Sequence, residues 1–358
     1  MHTSWPLLDI VALTFVRSFT AAHVLMHAST HSDLESALDG DRELFDALPS
    51  SPSTAFALRE QAASLLDQCE RCSARILTPF DTNYPIGLRT ALPMPAVLFV
   101  RGVLRKAPCI GVVGTRRSTD GYGRPVTTMF VRTWSKAGAT IVSGLATGID
   151  TFAHTATLDA GGHTIAVVAC GVDRVTPSSA MWLAERIIDH GGAIVSEYRC
   201  GMKAMPGYFP VRNRVITALS DAVVVVESAE KGGSMISADF ATKQGRALYA
   251  VPGPITSTRS AGPNALIRTR QAVCLQSAEQ LLDDLGLSRS AMLPFAPPIT
   301  YSPIEQQIVQ ACTAGARTAD ALASVTGLAH GDILATLLGL EFRGLIRRLP
   351  GQHFELIS

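Results

Sequence analysis

The sequence has no long hydrophobic run. Purely apolar stretches such as residues 222–226 are far shorter than the roughly 20 residues that a membrane-spanning helix needs. The first apolar stretch is interrupted by Asp9 and follows no basic residue, which is unlike a secretory signal peptide. We therefore expect a protein that does not insert into a membrane and that stays in the cytoplasm.

Cysteine is scarce, and its spacing is irregular. The seven cysteines are an odd set, which does not suit a disulfide framework. Cys69 and Cys72 form one Cys-x-x-Cys pair, but no second pair or Cys-His set follows at the spacing of a zinc site. His23, His27 and His31 could share a helix face, yet no nearby pattern adds a further ligand. The sequence therefore predicts no metal site and no cofactor.

The chain has almost no net charge, but its charges are unevenly distributed. Residues 1–100 carry 6 basic and 11 acidic residues, and residues 301–358 carry 4 and 5. Residues 101–300 carry 21 basic and 14 acidic residues, so any polyanion is expected to bind the middle of the chain. A hydrophobic content of 47% excludes disorder on a large scale.

The pattern of apolar residues indicates three domains. Residues 7–72 show helical spacing, and a proline-containing connector then leads to a predicted edge strand at residues 96–100. Prolines between residues 293 and 298 mark a linker. Residues 303–349 show three helical segments before a hairpin, which predicts a winged helix. The predicted boundaries are a helical domain at 1–73, a middle domain at 74–290, a linker at 291–300 and a winged-helix domain at 301–358.

In the middle domain, short apolar strands alternate with amphipathic helices. This order predicts an α/β fold with a parallel sheet covered by helices on both faces. The predicted strands are Cys109–Val113, Thr140–Ser143, 164–169, Ala193–Ser196, 222–227 and 247–251, and the predicted helices are 122–136, 149–160, 179–190, 211–219 and 234–244.

Four glycine-rich or basic loops follow strands or open helices of this sheet. Glycine at such a turn lets a ligand approach the backbone, and the free N–H groups of a helix N-terminus bind phosphate. An aromatic ring beside arginines suits single-stranded nucleic acid, because a base can stack while the guanidinium groups neutralise phosphates. The candidate contacts are Arg116, Arg117, Ser143, Gly144, Gly148, Phe209, Arg212, Asn213, Arg214, Lys231, Gly233 and Ser234.

These motifs, in this order, resemble the signature of the DNA-processing protein A (DprA/Smf) family. The resemblance covers nearly the whole chain and rests on four motifs: Ser143-Gly144-Leu145-Ala146 through His154, Phe209-Pro210-x-Arg212-Asn213-Arg214, Gly233-Ser234 through Val251-Pro252-Gly253, and Gly262-x-Asn264-x-Leu266-Ile267. It implies a sterile-alpha-motif-like (SAM-like) N-terminal domain, an extended Rossmann-like domain and a C-terminal winged helix.

The resemblance also implies a function. Family membership implies a bacterial protein without catalytic activity that binds single-stranded DNA, dimerises through the Rossmann domain and loads the RecA recombinase during natural transformation. The sequence departs from the family at two places. Residues 175–180 lack the usual Tyr-Pro and Asn, and a lysine often found just before Phe209 is missing, for which Lys203 is the candidate substitute.

Two other functions remain open. A Rossmann-type nucleotide-processing hydrolase, such as a phosphoribohydrolase, carries a catalytic glutamate in Gly-Thr-x-x-Glu, but the matching stretch here ends in Ser237, which cannot serve as a carboxylate base. A transcription regulator would bind duplex DNA through the winged helix. The net charge of −1 over residues 301–358 argues against that function and favours a protein contact.

Overall fold

The computed structural model describes residues 5–16, 21–40, 52–91, 93–287, 301–315, 317–342, 345–349 and 353–356. The chain divides into two compact units, residues 1–292 and residues 293–358. The predicted linker at 291–300 lies wholly outside the described residues, together with its prolines.

The first unit alternates strands and helices through its central part. Its helices are α1 (Leu7–Leu13), α2 (Ala21–Thr30), α3 (Leu34–Gly40), α4 (Pro52–Arg71), α5 (Gly123–Lys136), α6 (Ile149–Asp159), α7 (Met181–Asp189), α8 (Tyr208–Ala218), α9 (Gly233–Lys243), α10 (Ala261–Arg268) and α11 (Ala278–Asp284). Its strands are β1 (Ala74–Leu77), β2 (Leu98–Gly102), β3 (Cys109–Val113), β4 (Thr140–Ser143), β5 (His163–Val167), β6 (Ala193–Ser196), β7 (Ala222–Val225), β8 (Ala247–Ala250) and β9 (Val273–Cys274).

The nine strands form one mixed sheet in the order β1-β2-β6-β5-β4-β3-β7-β8-β9. The seven strands β6-β5-β4-β3-β7-β8-β9 are parallel to one another. Ile110 of β3 pairs with Ile141 of β4 on one side and with Ala222 of β7 on the other. All six predicted strands are present, with ends within two residues of the predicted ends. This confirms the α/β fold.

The prediction that residues 96–100 form an edge strand is wrong. The strand there, β2, pairs antiparallel with both β1 and β6, so β1 forms the edge instead. Leu98, Phe99 and Val100 are fully buried, which is typical of a strand covered on both faces. The prolines before β2 suggested an edge, but they belong to the connector and not to the strand.

Apolar side chains on both faces of the sheet hold the helices in place. Successive residues of a strand point to opposite faces. Val224 therefore packs in one core with side chains of α5, α6 and α11, while Val223 and Val225 pack in another with α8, α9 and α10. Burying one such valine stabilises the fold by roughly 1.5–3 kcal/mol. These two cores fix the strand ends between α5, α6, α8 and α9.

The N-terminal helices share a third core with the sheet. Side chains of α1, α2, α3 and α4 pack with α7 and with Phe99 and Ile194 of the sheet. The buried carboxylate of Asp9 accepts from the Arg59 guanidinium at 2.6 Å. The boundary predicted at residue 73 thus crosses one continuous core, and a separate SAM-like domain stays a prediction.

The second unit is a winged helix, as predicted. Helices α12 (Pro303–Thr313), α13 (Ala319–Thr326) and α14 (His330–Phe342) precede a hairpin of β10 (Ile346–Leu349) and β11 (His353–Leu356). Ser302 and Glu305 form a capping box that satisfies backbone N–H groups at the start of α12. Ile308, Leu337 and Phe354 belong to its own small core.

Membrane-spanning potential is weak throughout the part of the chain that the structure describes. No single helix there is both long and apolar enough to cross a membrane. The pair formed by α13 and residues 330–341 meets that test only by length and composition, and it is bent by 115°.

Candidate nucleic-acid interface

A groove of about 540 Å³ opens at the carboxyl ends of β3, β4 and β7. These parallel strands are neighbours, so the loops that follow them meet at one edge of the sheet. The chain leaves β3 toward β4 in one direction and returns to β7 on the other side, which is the kind of switch point where α/β sheets bind ligands. The groove is lined by residues of the loops after β3, β4 and β7 and of the first turns of α8 and α9.

The exposed Arg116 and the half-buried Phe209 form a pair on the groove. The guanidinium carbon of Arg116 lies 4.9 Å from the centroid of the Phe209 ring, and both residues line the groove. The Arg116 side chain is exposed, so the cation keeps its donors available while the ring orients it. The structure therefore brings together the two residue types that bind a phosphate and a base.

The loop after β4 is shaped by its own backbone contacts. The Ser143 hydroxyl is buried and donates to the Val112 carbonyl at 2.7 Å, so it is not a free donor. Gly148 has φ +82°, and a Cβ there would lie 2.3 Å from the Thr115 carbonyl oxygen. Only glycine fits this position, where the first two loops touch. Ser143 and Gly148 thus build the groove without lining it.

Two opposite charges, Arg212 and Asp150, are buried behind this loop, and no hydrogen bond or salt bridge joins them directly. Arg212 is 5% exposed, and its Nη1 donates to the carbonyls of Gly144, at 2.6 Å, and Val167. Asp150 accepts from the Gly144 N–H at 3.1 Å. Burial raises the pKa of Asp150 and lowers the pKa of Arg212, and each charge opposes the shift of the other. A Cβ on Gly144 would lie 2.7 Å from both side chains, so the loop packs tightly against the pair.

Both members of this pair also line the groove. Arg212 therefore adds positive charge to the groove wall, but most of its guanidinium is already engaged with protein carbonyls. Asp150 accepts from the N–H groups of Gly144 and Ala146 and so holds the loop backbone, and it was not among the candidates predicted from the sequence. The sequence feature that could have identified Asp150 is its position in the first turn of the predicted helix, where a carboxylate is favoured. In the structure it accepts from the N–H of Gly144.

Arg214 does not belong to the groove, which corrects the prediction of a DNA contact there. Its side chain is 5% exposed and donates to the Glu197 carboxylate at 2.6 Å. Residues two apart on a helix do not share a face. The sequence analysis grouped Arg214 with Arg212 by proximity along the chain and did not consider the helical phase of α8.

The start of α9 supplies the opposite side of the groove. Gly232, Gly233 and Ser234 line it, and the first N–H groups of α9 have no partner within the helix. Asn213 reaches across, with its Nδ2 donating to the Gly233 carbonyl at 3.4 Å. A helix N-terminus of this kind favours an anion.

Ser237 was missed by the sequence analysis as a groove residue. It lies one turn after Gly233, it lines the groove, and its buried hydroxyl has no hydrogen-bond partner in the structure. The spacing of four residues from Gly233 on a helix was the available signal.

Three predicted basic contacts lie beside the groove and do not line it. Arg117, Lys203 and Lys231 are exposed, and each is within three residues of a lining position along the chain. Their charges add to the positive potential around the opening. The structure therefore brings Arg116, Phe209, Arg212, Asn213, Gly233 and Ser234 together on the groove and leaves these three at the margin, while Gly144 is buried and contacts Arg212 and Asp150.

The titratable groups near the groove are poorly suited to acid–base catalysis. Of the described residues that line it, Asp150 is the one carboxylate, and it is held by backbone N–H groups beside Arg212. His154 is fully buried, its Nδ1 lies 2.7 Å from the Thr164 hydroxyl, and burial lowers its pKa to about 3. Neither group is placed to exchange a proton with a ligand in the groove.

Known proteins with similar sequences share a family with this chain. Residues 75–286 match the family described as DNA recombination-mediator protein A, and residues 292–352 match the DprA winged helix domain. Protein Smf of Escherichia coli K12 is 35% identical over 291 residues, which are 78% of this chain and 77% of that protein. DNA processing protein DprA of Bacillus subtilis is 36% identical over 252 residues, covering 70% and 80% of the two chains.

Solved structures agree with this assignment. DNA processing protein A of Streptococcus pneumoniae matches with a TM-score of 0.66 and 29% identity, over 77% of this chain and 97% of that one. DNA processing protein A of Helicobacter pylori, whose structure concerns its single-stranded DNA binding mode, matches with a TM-score of 0.54 and 29% identity, over 60% and 96% of the two chains. The chain therefore belongs to the DNA recombination-mediator protein A family, the DprA/Smf proteins.

Proposed function

We propose that this chain binds single-stranded DNA in the groove and does so without catalysis. The observation that carries the proposal is the Arg116–Phe209 pair, which lines the same groove as the helix N-terminus at Gly233. The ring offers a stacking surface, and the guanidinium and backbone N–H groups bind phosphates. The single-stranded DNA binding mode described for the Helicobacter pylori relative supports the same ligand.

A salt titration tests the ligand class. If phosphates dominate binding, the logarithm of the affinity for oligothymidine should fall linearly with the logarithm of salt concentration. The slope should be about −0.7 for each neutralised phosphate, and therefore about −2 or steeper for several contacts. Competition by duplex DNA of equal length should be weaker than by the single strand. A flat titration would instead indicate a small-molecule ligand, as in the hydrolase alternative.

Arg116→Ala is expected to weaken binding of single-stranded DNA by roughly 1–3 kcal/mol, the range for a lost charge-assisted contact. The measurement is fluorescence anisotropy with labelled oligothymidine. Arg117→Ala is the matched control. It removes the same charge from the next residue, and the Arg117 side chain does not line the groove. Equal losses in the two variants would mean that only the overall charge matters.

The same family resemblance leads to proposals about partners. The protein acts in the cytoplasm as a homodimer formed through the Rossmann-like domain, and it passes bound single strands to the RecA recombinase in natural transformation. Sedimentation of the purified chain tests the dimer. The loading step is tested on single strands coated with a different single-strand-binding protein. RecA filaments should form on them faster when this chain is present than when it is absent.

We place the winged helix outside the DNA contact. Helix α14 contains no lysine or arginine, and it exposes Leu334 and Leu338. On the hairpin, Arg347 donates to Glu355 at 2.6 Å. Duplex-binding modules of this kind place one helix in the major groove of DNA and make several contacts to phosphates. The exposed face of α14 suits contact with protein better than with DNA.

Deletion of residues 301–358 is expected to leave the affinity for single-stranded DNA within about threefold, since this unit adds no net positive charge for phosphate. Self-association or partner binding should change instead. Anisotropy and analytical ultracentrifugation on both chains measure the two effects. A loss of about tenfold or more, equivalent to about 1.4 kcal/mol, in a dimer that stays intact would show that the winged helix contacts DNA.

A further inference from the structure

Three thiols from distant parts of the chain meet beside the end of α4. Cys69 lies in the last turn of α4, and Cys72 follows that helix directly. The Sγ atom of Cys200 is 3.6 Å from the Sγ of Cys69 and 3.7 Å from the Sγ of Cys72. Cys200 is 131 and 128 residues away from them along the chain, so only the fold brings the three together.

The segment that carries Cys200 is anchored on both sides. The Arg199 guanidinium lies 3.8 Å from the centroid of the Phe15 ring and donates to the Thr14 carbonyl at 2.7 Å. The N–H of Gly201 donates to the Asp173 carboxylate at 2.8 Å. Because both neighbours of Cys200 are held, its sulfur stays next to the two sulfurs at the end of α4.

The surroundings favour reaction between the thiols. In the part of the chain that the structure describes, no group of three or more His, Cys, Asp or Glu residues is arranged as a metal site. The hydrogen bond from Cys200 lowers the pKa of Cys69, whereas burial raises the pKa of Cys72 to about 11. The thiolate is the reactive form of cysteine, so Cys69 is the first nucleophile. A cavity of about 310 Å³ is lined by Cys200 and not by Cys69, so a small oxidant that enters it arrives at Cys200, whose Sγ is 3.6 Å from the Sγ of Cys69.

We propose that Cys69, Cys72 and Cys200 form a peroxide-oxidisable thiol site, separate from the groove, in which Cys200 is the shared disulfide partner. The Cys69 thiolate attacks one oxygen of hydrogen peroxide, the O–O bond breaks, and the leaving hydroxide takes a proton to become water. Cys200 then attacks the sulfenic sulfur, forming the S–S bond and releasing a second water. Two electrons pass from the two sulfurs to one peroxide.

Cys72 can then move the disulfide. Cys72 gives up its proton to water and its sulfur attacks Cys200, the Cys69–Cys200 bond breaks, and Cys69 leaves as the thiolate, which its lowered pKa favours. Both disulfides contain Cys200, and both tie the end of α4 to the segment that leads from β6 into α8. Such a cross-link joins the N-terminal helices covalently to the segment that precedes Phe209.

Peptide mapping tests the proposal on the full chain. The folded protein is treated with hydrogen peroxide, free thiols are blocked by alkylation, and the protein is digested with trypsin without reduction. Trypsin cleaves after Arg71 and Arg199, so the three cysteines fall on separate peptides, residues 60–71, 72–75 and 200–203. We expect peptide 200–203 linked to either of the other two. The yield should be about tenfold or more above that of urea-unfolded protein, because folding raises the effective concentration of the thiols.

Variants assign the partner. Cys200→Ser should abolish both cross-links, Cys72→Ser should leave the Cys69–Cys200 link, and Cys274→Ser, at a half-buried cysteine elsewhere, should leave both unchanged. The proposal is wrong if Cys69 pairs mainly with Cys72. It is also wrong if peptide 200–203 in the folded wild-type chain is linked no more than peptides carrying Cys109 or Cys274. The second criterion needs no variant and holds even if Cys200→Ser fails to fold.

Discussion

Arg212→Met is expected to lower the free energy of unfolding by about 3–5 kcal/mol at neutral pH, the range for leaving a buried charge without its nearby counter-charge. The substitution leaves the buried Asp150 carboxylate without its counter-charge and the carbonyls of Gly144 and Val167 without their donor. Methionine retains much of the volume of the side chain, so cavity formation adds little. Urea unfolding followed by circular dichroism measures the loss.

The matched control is Arg186→Met. Arg186 donates directly to Asp159 at 2.7 Å, and the two side chains are 32% and 36% exposed. An exposed pair contributes at most about 1 kcal/mol. If both variants lose the same free energy of unfolding, the burial of Arg212 and Asp150 does not account for the loss in Arg212→Met.

The loss caused by Arg212→Met should shrink as the pH falls. Burial raises the pKa of Asp150 in the folded state above its unfolded value, and removing Arg212 removes the neighbouring charge that opposes this rise. The unpaired carboxylate therefore destabilises the variant above that raised pKa, and protonation relieves the cost below it. Adding Asp150→Asn to Arg212→Met should recover stability at neutral pH. A loss that neither acid nor asparagine reduces would assign the effect to the two carbonyls instead.

Gly233→Glu is expected to reduce affinity for single-stranded DNA by about tenfold or more, or at least about 1.4 kcal/mol, while leaving the fold intact. Gly233 opens α9 on the groove wall, and a Cβ there would meet no atom within 4 Å. A carboxylate in the first turn of a helix stabilises it by about 0.3–1 kcal/mol. The same charge competes with phosphate for the N–H groups and repels the DNA backbone.

Gly233→Gln separates charge from size. Glutamine has the same shape as glutamate without its charge, so the difference in anisotropy between the two variants at low salt reports the electrostatic term alone. This difference should narrow as salt is raised, because screening weakens it. Equal affinities for the Glu and Gln variants would place the phosphate elsewhere and would contradict the proposed groove.

The sequence predicted the sheet well because its signal is local. Runs such as Val223-Val224-Val225 are buried on both faces, and six such runs alternate with amphipathic helices. Covering both faces requires this composition wherever a central parallel strand occurs. The one clear error, the position of the edge, concerns which strands become neighbours. Antiparallel pairing of β1 and β2 depends on contacts far along the chain, which apolar periodicity does not record.

The candidate site was predicted in part for the same reason. Glycines and arginines at the ends of strands identify the loops, because parallel strands place their carboxyl ends on one edge. The sequence does not show whether a side chain in these loops points into the groove or away from it. Arg116 and Phe209 meet over the groove, whereas Arg214 turns away to Glu197, and this difference depends on helical phase and on a partner from another segment.

By itself, the sequence determined the fold class, the winged helix and the four loops that surround the groove, because each depends on residue types at short spacing. Only the tertiary structure decided that Arg116 is exposed, that Arg212 is buried near Asp150, and that Arg214 pairs with Glu197. It also placed Cys200 beside a Cys-x-x-Cys pair more than 120 residues away. Burial and ion pairing depend on contacts between segments that are far apart along the chain. The local pattern of residue types in each segment does not show which other segment it will contact.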